Sequence, residues 1–245
     1  MSKRKSMMGI LTLMLLFVFS GCSKAGRYDD FTKEEQALSF QTKRKQTFGN
    51  SDYSKIATEK EAFQLVEEKY KLGIPAYYEE TKELIANEIP SDTVKAGETL
   101  YAVFARNKEL NFQTRYTFYK EEELQVVSEV SLNYEYSEEN NLAYLRSQTV
   151  SIKIAPVNGG LPNDNLNRLV EKIGTNMNIS NEKIMSGLAG YEKQVKESTS
   201  PITEEFLPII TSQKRANKNE EFNKLIAVGY DTNGTVRELY AEISE

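Results

Sequence analysis

The chain has 245 residues, 27% of them charged, and its formal net charge of −5 is spread without a long run of one sign. This acidic balance argues against a nucleic-acid partner, because proteins that bind phosphate backbones present clustered cations. The absence of histidine excludes Ser-His-Asp and Cys-His nucleophile systems and the usual zinc sites, so neither a metal nor a cofactor is expected.

The N-terminal segment has three parts in the order of a secretory leader. Residues 2–5 include three cations, residues 7–19 form an apolar run, and the small residues Ser20 and Gly21 precede Cys22, the only cysteine. The apolar run is shorter than the roughly 20 residues that a transmembrane anchor needs. The pattern resembles the lipobox-type signal peptide of a bacterial membrane lipoprotein, and the Lys-, Glu-, Asn- and Tyr-rich composition favours a Gram-positive source.

The resemblance implies a lipid anchor at Cys22. In that family the signal peptide is cleaved between Gly21 and Cys22, and Cys22 Sγ carries a diacylglyceryl group, whose two acyl chains hold a protein stably on a membrane. Residues 1–21 would then be the signal peptide, residues 22–30 a lipidated tether and residues 31–245 one domain outside the cytoplasmic membrane. Lipidation of Cys22 would also leave no thiol for a disulfide or for catalysis. The resemblance does not extend to the domain itself.

The first part of the domain has helical periodicity. Thr58 and Glu61 match a capping box that precedes apolar residues at helical spacing. Pro75 opens a second predicted helix, which ends before Pro90. A further helix is predicted over residues 31–45.

The middle of the chain changes to aromatic and β-branched residues in runs of strand length. These runs cover residues 99–106, 111–119, 124–136 and 142–155. The breaks between them are short enough to close hairpins, so the sequence predicts a four-stranded antiparallel meander.

Helical spacing returns at Leu166, and a second helical stripe follows Ser180. The apolar residues around Pro208 predict a short helix or an irregular core segment. Asn233-Gly234 between two apolar runs predicts a closing hairpin. The predicted fold class is therefore α+β, with N-terminal helices, the meander, further helices and a C-terminal β-hairpin.

Two short motifs resemble reactive or metal sites. Ser180 and Lys183 match the S-x-x-K of penicillin-recognising enzymes, but the partner motifs are missing and Ser180 stands where a helix N-cap is wanted. Asp231 and Gly234 resemble the start of a calcium loop, but a strand pattern begins at Thr235, which favours a hairpin turn. No catalytic residue and no metal ligand is therefore predicted.

Four tyrosines on predicted strands form the candidate binding face. They are Tyr116, Tyr119, Tyr134 and Tyr136. Tyrosine suits a binding surface because it combines a large rigid area with a polar tip. The alternative is that these rings pack across strands beneath the helices.

These observations favour a non-enzymatic lipoprotein at the outer face of the cytoplasmic membrane. Its expected partners are the membrane, through the diacylglyceryl anchor, and an unknown protein or envelope component. One alternative is a small solute-binding lipoprotein of a transporter, which predicts two lobes around a cleft. Another is a hydrolase without histidine, which requires ionisable groups that converge in a cleft.

Overall fold

The computed structural model describes Tyr28 and residues 31–155, 163–212 and 221–245. Nine antiparallel strands form a single sheet that dominates this part of the chain. The predicted α+β class is wrong, because the N-terminal helices are few and short and do not balance the sheet. Strand pairing between distant segments accounts for the difference, since it provides backbone hydrogen bonds that local sequence patterns do not reveal.

The N-terminal part contains one short helix and two strands. They are α1 (Lys33–Ala37), β1 (Gln41–Lys43) and β2 (Gly49–Ile56). Thr32 caps α1 by accepting a hydrogen bond from Glu35 N at 3.2 Å. The predicted helix over residues 31–45 is wrong beyond α1, because Gln41–Lys43 pairs with the first residues of a later strand.

Two further helical segments precede the central strands. They are α2 (Glu59–Gln64), which continues into a π-helical turn (Leu65–Lys69), and α3 (Ala76–Glu88). Thr58 Oγ1 accepts a hydrogen bond from Glu61 N at 3.2 Å, which confirms the predicted N-cap. Pro75 precedes the first residue of α3, and α3 ends before Pro90, as predicted.

The central strands form a long antiparallel meander. They are β3 (Lys95–Asn107), β4 (Glu109–Lys120), β5 (Glu123–Ser137) and β6 (Leu142–Ile154). Each pairs with the next in sequence, as predicted. At most ends the observed strands extend beyond the predicted boundaries, because polar and charged residues next to the hairpin turns continue the pairing.

The C-terminal part adds two helices and three strands. They are α4 (Asn163–Asn176), α5 (Asn181–Glu197), β7 (Phe206–Ser212), β8 (Asn223–Tyr230) and β9 (Val236–Ser244). The hairpin of β8 and β9 confirms the turn predicted at Asn233-Gly234. The helix or irregular segment predicted around Pro208 is instead β7. Pro208 is tolerated there because β7 is at the edge of the sheet, where a missing N–H breaks no ladder.

The strand order is β2-β3-β4-β5-β6-β9-β8-β7, and β1 pairs with the start of β6 beside β9. The helices that the structure describes pack on one face of this sheet. Phe63 of α2 and Tyr78 of α3 contact Phe112 of β4, and Gly174 of α4 lies against Ile184 of α5 above Ile226 of β8. Within the described residues, no helix has the length and hydropathy needed to cross a bilayer.

Candidate functional site

The opposite face of the sheet, which we call the open face, bears no described helix. Side chains alternate between the two faces along each strand, so the registers of β4, β5 and β6 bring polar residues together on the open face. Its central residues are Asn111, Gln113, Arg115, Glu129, Asn133, Ser147 and Thr149, and all of them are exposed or half-buried. The open face therefore presents neighbouring polar side chains that no described helix covers.

Three of these side chains form a hydrogen-bonded chain across three neighbouring strands. Asn111 Nδ2 donates to Asn133 Oδ1 at 2.7 Å, and Asn133 Nδ2 donates to Ser147 Oγ at 3.0 Å. The two amides are thereby held in one orientation. We call Asn111, Asn133 and Ser147 the polar ladder.

A pocket of about 470 Å³ lies over the polar ladder. One side is formed by Phe104 and Arg106 of β3, and the other by Glu242 and Ser244 of β9. This volume falls within the range of small-molecule sites, roughly 300–1,000 Å³. The pocket is the candidate ligand site.

A β-bulge shapes one end of this pocket. Asn133 pairs with Ser147, whereas Tyr134 pairs with Leu145, so Arg146 is an extra residue on β6. Arg146 NH1 lies 3.6 Å from Glu109 Oε1 and 3.5 Å from Glu135 Oε2. Those two carboxylates face each other directly across β4 and β5, so Arg146 offsets their repulsion.

The other charged side chains around the pocket also have partners. Arg106 NH2 lies 3.4 Å from Asp52 Oδ2 and donates from NH1 to the carbonyl of Ser51 at 3.0 Å. Glu242 Oε2 accepts a hydrogen bond from the Tyr240 hydroxyl at 2.8 Å. Both arginines at the rim are thus paired with carboxylates, but Glu242 and Glu245 also line the pocket, so its rim has more carboxylates than guanidinium groups. The floor presents neutral amide and hydroxyl groups.

The four predicted tyrosines do not form one surface. Tyr134 and Tyr136 are buried on the helix-covered face, and the Tyr134 hydroxyl donates to the carbonyl of Gly73 at 2.8 Å. Tyr116 is half-buried on the same face beside Tyr78. Tyr119 is on the open face, where its ring lies over Gly97, far from the polar ladder.

Burial raises the pKa of the Tyr116 and Tyr134 hydroxyls well above the usual value, because the phenolate form would lose its water. Tyr78 shows the same effect, and its hydroxyl is hydrogen-bonded to Thr114 Oγ1 at 2.8 Å. These hydroxyls are neutral at physiological pH. They are therefore poor candidates for nucleophiles.

The two short motifs that resemble a reactive site and a calcium loop have structural roles. Ser180 caps α5 by accepting a hydrogen bond from Lys183 N at 3.4 Å. Asp231 Oδ1 accepts hydrogen bonds from the N–H groups of Asn233 and Thr235 within the hairpin turn. Cys22 and Gly21 lie outside the described residues. No group of three or more acidic side chains within the described ranges is placed to hold a metal ion.

The polar ladder was not among the residues predicted from the sequence. The signal that could have found them is the alternation of polar residues at positions 111, 113 and 115 of β4 and 129, 131 and 133 of β5. Combined with hairpin registers, that alternation places Asn111 beside Asn133.

Comparison of the chain with known proteins gives no matching family model, no similar curated protein and no similar solved structure.

Proposed function

We propose that this chain is a lipid-anchored, non-enzymatic binding protein that faces outward from the cytoplasmic membrane. Its ligand occupies the pocket over Asn111, Asn133 and Ser147 on the open face. The observation that carries the proposal is the pre-formed neutral floor, in which hydrogen bonds across three strands fix the side chains before any ligand arrives. The leader at residues 1–21, followed by Cys22, supports the anchor.

The architecture supports a binding module more than the alternatives. A transporter's solute-binding protein with two lobes would divide its strands between two sheets, whereas the described strands share one sheet. A hydrolase would need an activated nucleophile. Ser180 is engaged as a helix cap at the start of α5, which leaves the Ser-Lys route without support.

One experiment with two arms tests this function in the producing bacterium. In the first arm, Cys22→Ala is expected to abolish incorporation of a labelled fatty acid, because Cys22 Sγ is the site of diacylglyceryl transfer. Ser23→Ala is the matched control and is expected to be labelled like the natural protein. Unchanged labelling of the Cys22→Ala chain would overturn the anchor.

In the second arm, a photo-reactive phenylalanine analogue replaces Arg106 at the rim of the pocket. The control position is Met185, which is exposed on α5, a helix of the covered face. Illumination is expected to give a discrete adduct from position 106 and none from position 185. Identical adducts from both positions, or none from position 106, would refute the pocket as the ligand site.

A further inference from the structure

We infer that the ligand of the open-face pocket is an uncharged, hydroxyl-rich molecule, namely a neutral oligosaccharide. The inference rests on the proposed function and names the chemistry of its ligand. Three features of the pocket support it: the hydrogen-bonding groups of the polar ladder, the pairing of both rim arginines with carboxylates and the position of Phe104.

The polar ladder offers donors and acceptors side by side. Each asparagine amide has two N–H groups and an oxygen with two lone pairs, and a serine hydroxyl both donates and accepts. Within the described residues the ladder uses one N–H of Asn111 and one of Asn133. Asn111 Oδ1, the second N–H of each amide and the Ser147 hydroxyl hydrogen remain for a ligand. Sugar hydroxyls match this mixture, because each can donate and accept.

The charges around the pocket disfavour an anionic ligand. An anionic ligand would have to compete for Arg106 with Asp52, and for Arg146 with Glu109 and Glu135. A cationic ligand would face Arg106 and Arg146, and its pairing with Glu242 is the alternative that the tetralysine probe tests. Hydrogen bonds to a neutral ligand need no such exchange.

Phe104 provides an apolar wall beside the polar floor. It is half-buried on β3 and stands directly opposite Asn111 in the antiparallel register. Cβ atoms at such positions are about 4.5–5.5 Å apart. One ligand ring can therefore pack its C–H groups on Phe104 while its hydroxyls reach the Asn111 amide.

Isothermal titration calorimetry of the full chain, solubilised in a detergent without a sugar headgroup, tests the inference. The neutral probes are cellotetraose, maltotetraose and the tetramer of N-acetylglucosamine, and the charged probes are tetralysine and tetraglutamate. At least one neutral probe is expected to bind. Its affinity is expected to be equal at about 50 mM and about 500 mM NaCl, because salt screens only charge–charge interactions.

Asn111→Ala is expected to weaken binding of that probe by about tenfold, which corresponds to the loss of one or two hydrogen bonds. Phe104→Ala is expected to weaken it by a similar factor through loss of ring packing. Thr149→Ala is the matched control, because Thr149 is two residues along β6 from Ser147, on the same face and outside the pocket lining. It is expected to bind like the natural chain.

Two results would overturn the sugar assignment. One is the absence of binding by every neutral probe at about millimolar concentration, and the other is binding that Asn111→Ala leaves unchanged. Salt-sensitive binding of a charged tetrapeptide alone, lost in Asn111→Ala, would also overturn it while leaving the pocket as a binding site. The crosslinking arm described above reports separately on the pocket, so the two failures are distinguishable.

Discussion

Glu35 and Lys224 form a buried ion pair that connects α1 to the start of β8. Their side chains are only 7% and 5% exposed, respectively. Glu35 also accepts a hydrogen bond from the N–H of Phe222 at 3.1 Å, so its charge has two partners. The ring of the same Phe222 packs against Tyr28 and Phe31. The ion pair therefore secures the N-terminal segment to the sheet.

Removal of one partner should be costly, because it leaves the other charge buried without compensation. Lys224→Met is expected to lower the free energy of unfolding by about 3–5 kcal/mol, measured by urea denaturation followed by circular dichroism. Lys153→Met is the matched control, because Lys153 makes an exposed ion pair with Glu238 at 3.7 Å and is expected to lose no more than about 1 kcal/mol. Equal losses in the two variants would contradict the structural role of the buried pair.

The double variant Glu35→Leu/Lys224→Met separates the buried charge from the packing. Because it removes both charges, it is expected to be more stable than Lys224→Met alone. A further loss in the double variant would mean that the hydrogen bond from Phe222 N dominates.

At the scale of elements, α5 approaches β7 closely through a glycine. A Cβ atom at Gly187 would lie 2.6 Å from the carbonyl oxygen of Ile209, whereas a Cβ atom at Gly190 would have no neighbour within 4 Å. Both glycines lie within the same helix. Any difference between their alanine variants therefore reports the close approach of the helix to the strand.

Gly190→Ala is expected to raise the free energy of unfolding by about 0.5–1 kcal/mol, because alanine favours the helix. Gly187→Ala has the same helical advantage but must displace β7, so a net loss of about 1–2 kcal/mol is expected. Chemical denaturation of the two variants in parallel provides the measurement. Stabilisation by both substitutions would show that α5 does not pack against Ile209 as described.

Elements whose signals are local could be predicted from the sequence. The caps at Thr58 and Ser180 each depend on a hydrogen bond that spans three residues. The hairpins of β3 to β6 and of β8 and β9 join strands that are neighbours in sequence. In contrast, β1 and β7 could not be predicted. β1 has only three residues and β7 contains a proline, so each becomes a strand only because another strand of the sheet pairs with it.

The candidate site was hidden from the sequence for the same reason. Asn111 and Asn133 are separated by a hairpin, but Ser147 joins them only through the exact register of β5 and β6. The bulge at Arg146 shifts that register by one residue, and no local pattern marks it. The four tyrosines were predicted from residue type alone, whereas the alternation of faces places three of them under the helices.

At the scale of the whole molecule, the helix-covered face is rich in buried tyrosine. Burial raises the pKa of Tyr77, Tyr78, Tyr134 and Tyr191 well above the usual value of about 10, because a phenolate in the core would lose its water. These residues lie on α3, β5 and α5, so they span the layer between helices and sheet. The core as a whole is therefore sensitive to alkaline pH.

The pKa shifts determine the direction of this dependence. Well below about pH 10 these four tyrosines are protonated in both the folded and the unfolded state, so they contribute no dependence of stability on pH. Above that pH the unfolded chain releases protons that the folded chain retains, and the free energy of unfolding falls as the pH rises. No histidine is present to add a transition near neutrality.

An alkaline titration tests this prediction directly, because the chain has 14 tyrosines and no tryptophan to obscure phenolate absorbance near 295 nm. The half-buried Tyr53, whose pKa is lowered by the hydrogen bond from Lys69, is expected to be the first tyrosine to titrate, without change in the far-ultraviolet circular dichroism. The buried ones are expected to titrate at higher pH, together with loss of the sheet signal. In Tyr134→Phe the second step should shrink by one tyrosine while the first stays unchanged. If all tyrosines ionised near pH 10 with the sheet intact, the helix-covered face could not be closed to water as the structure describes.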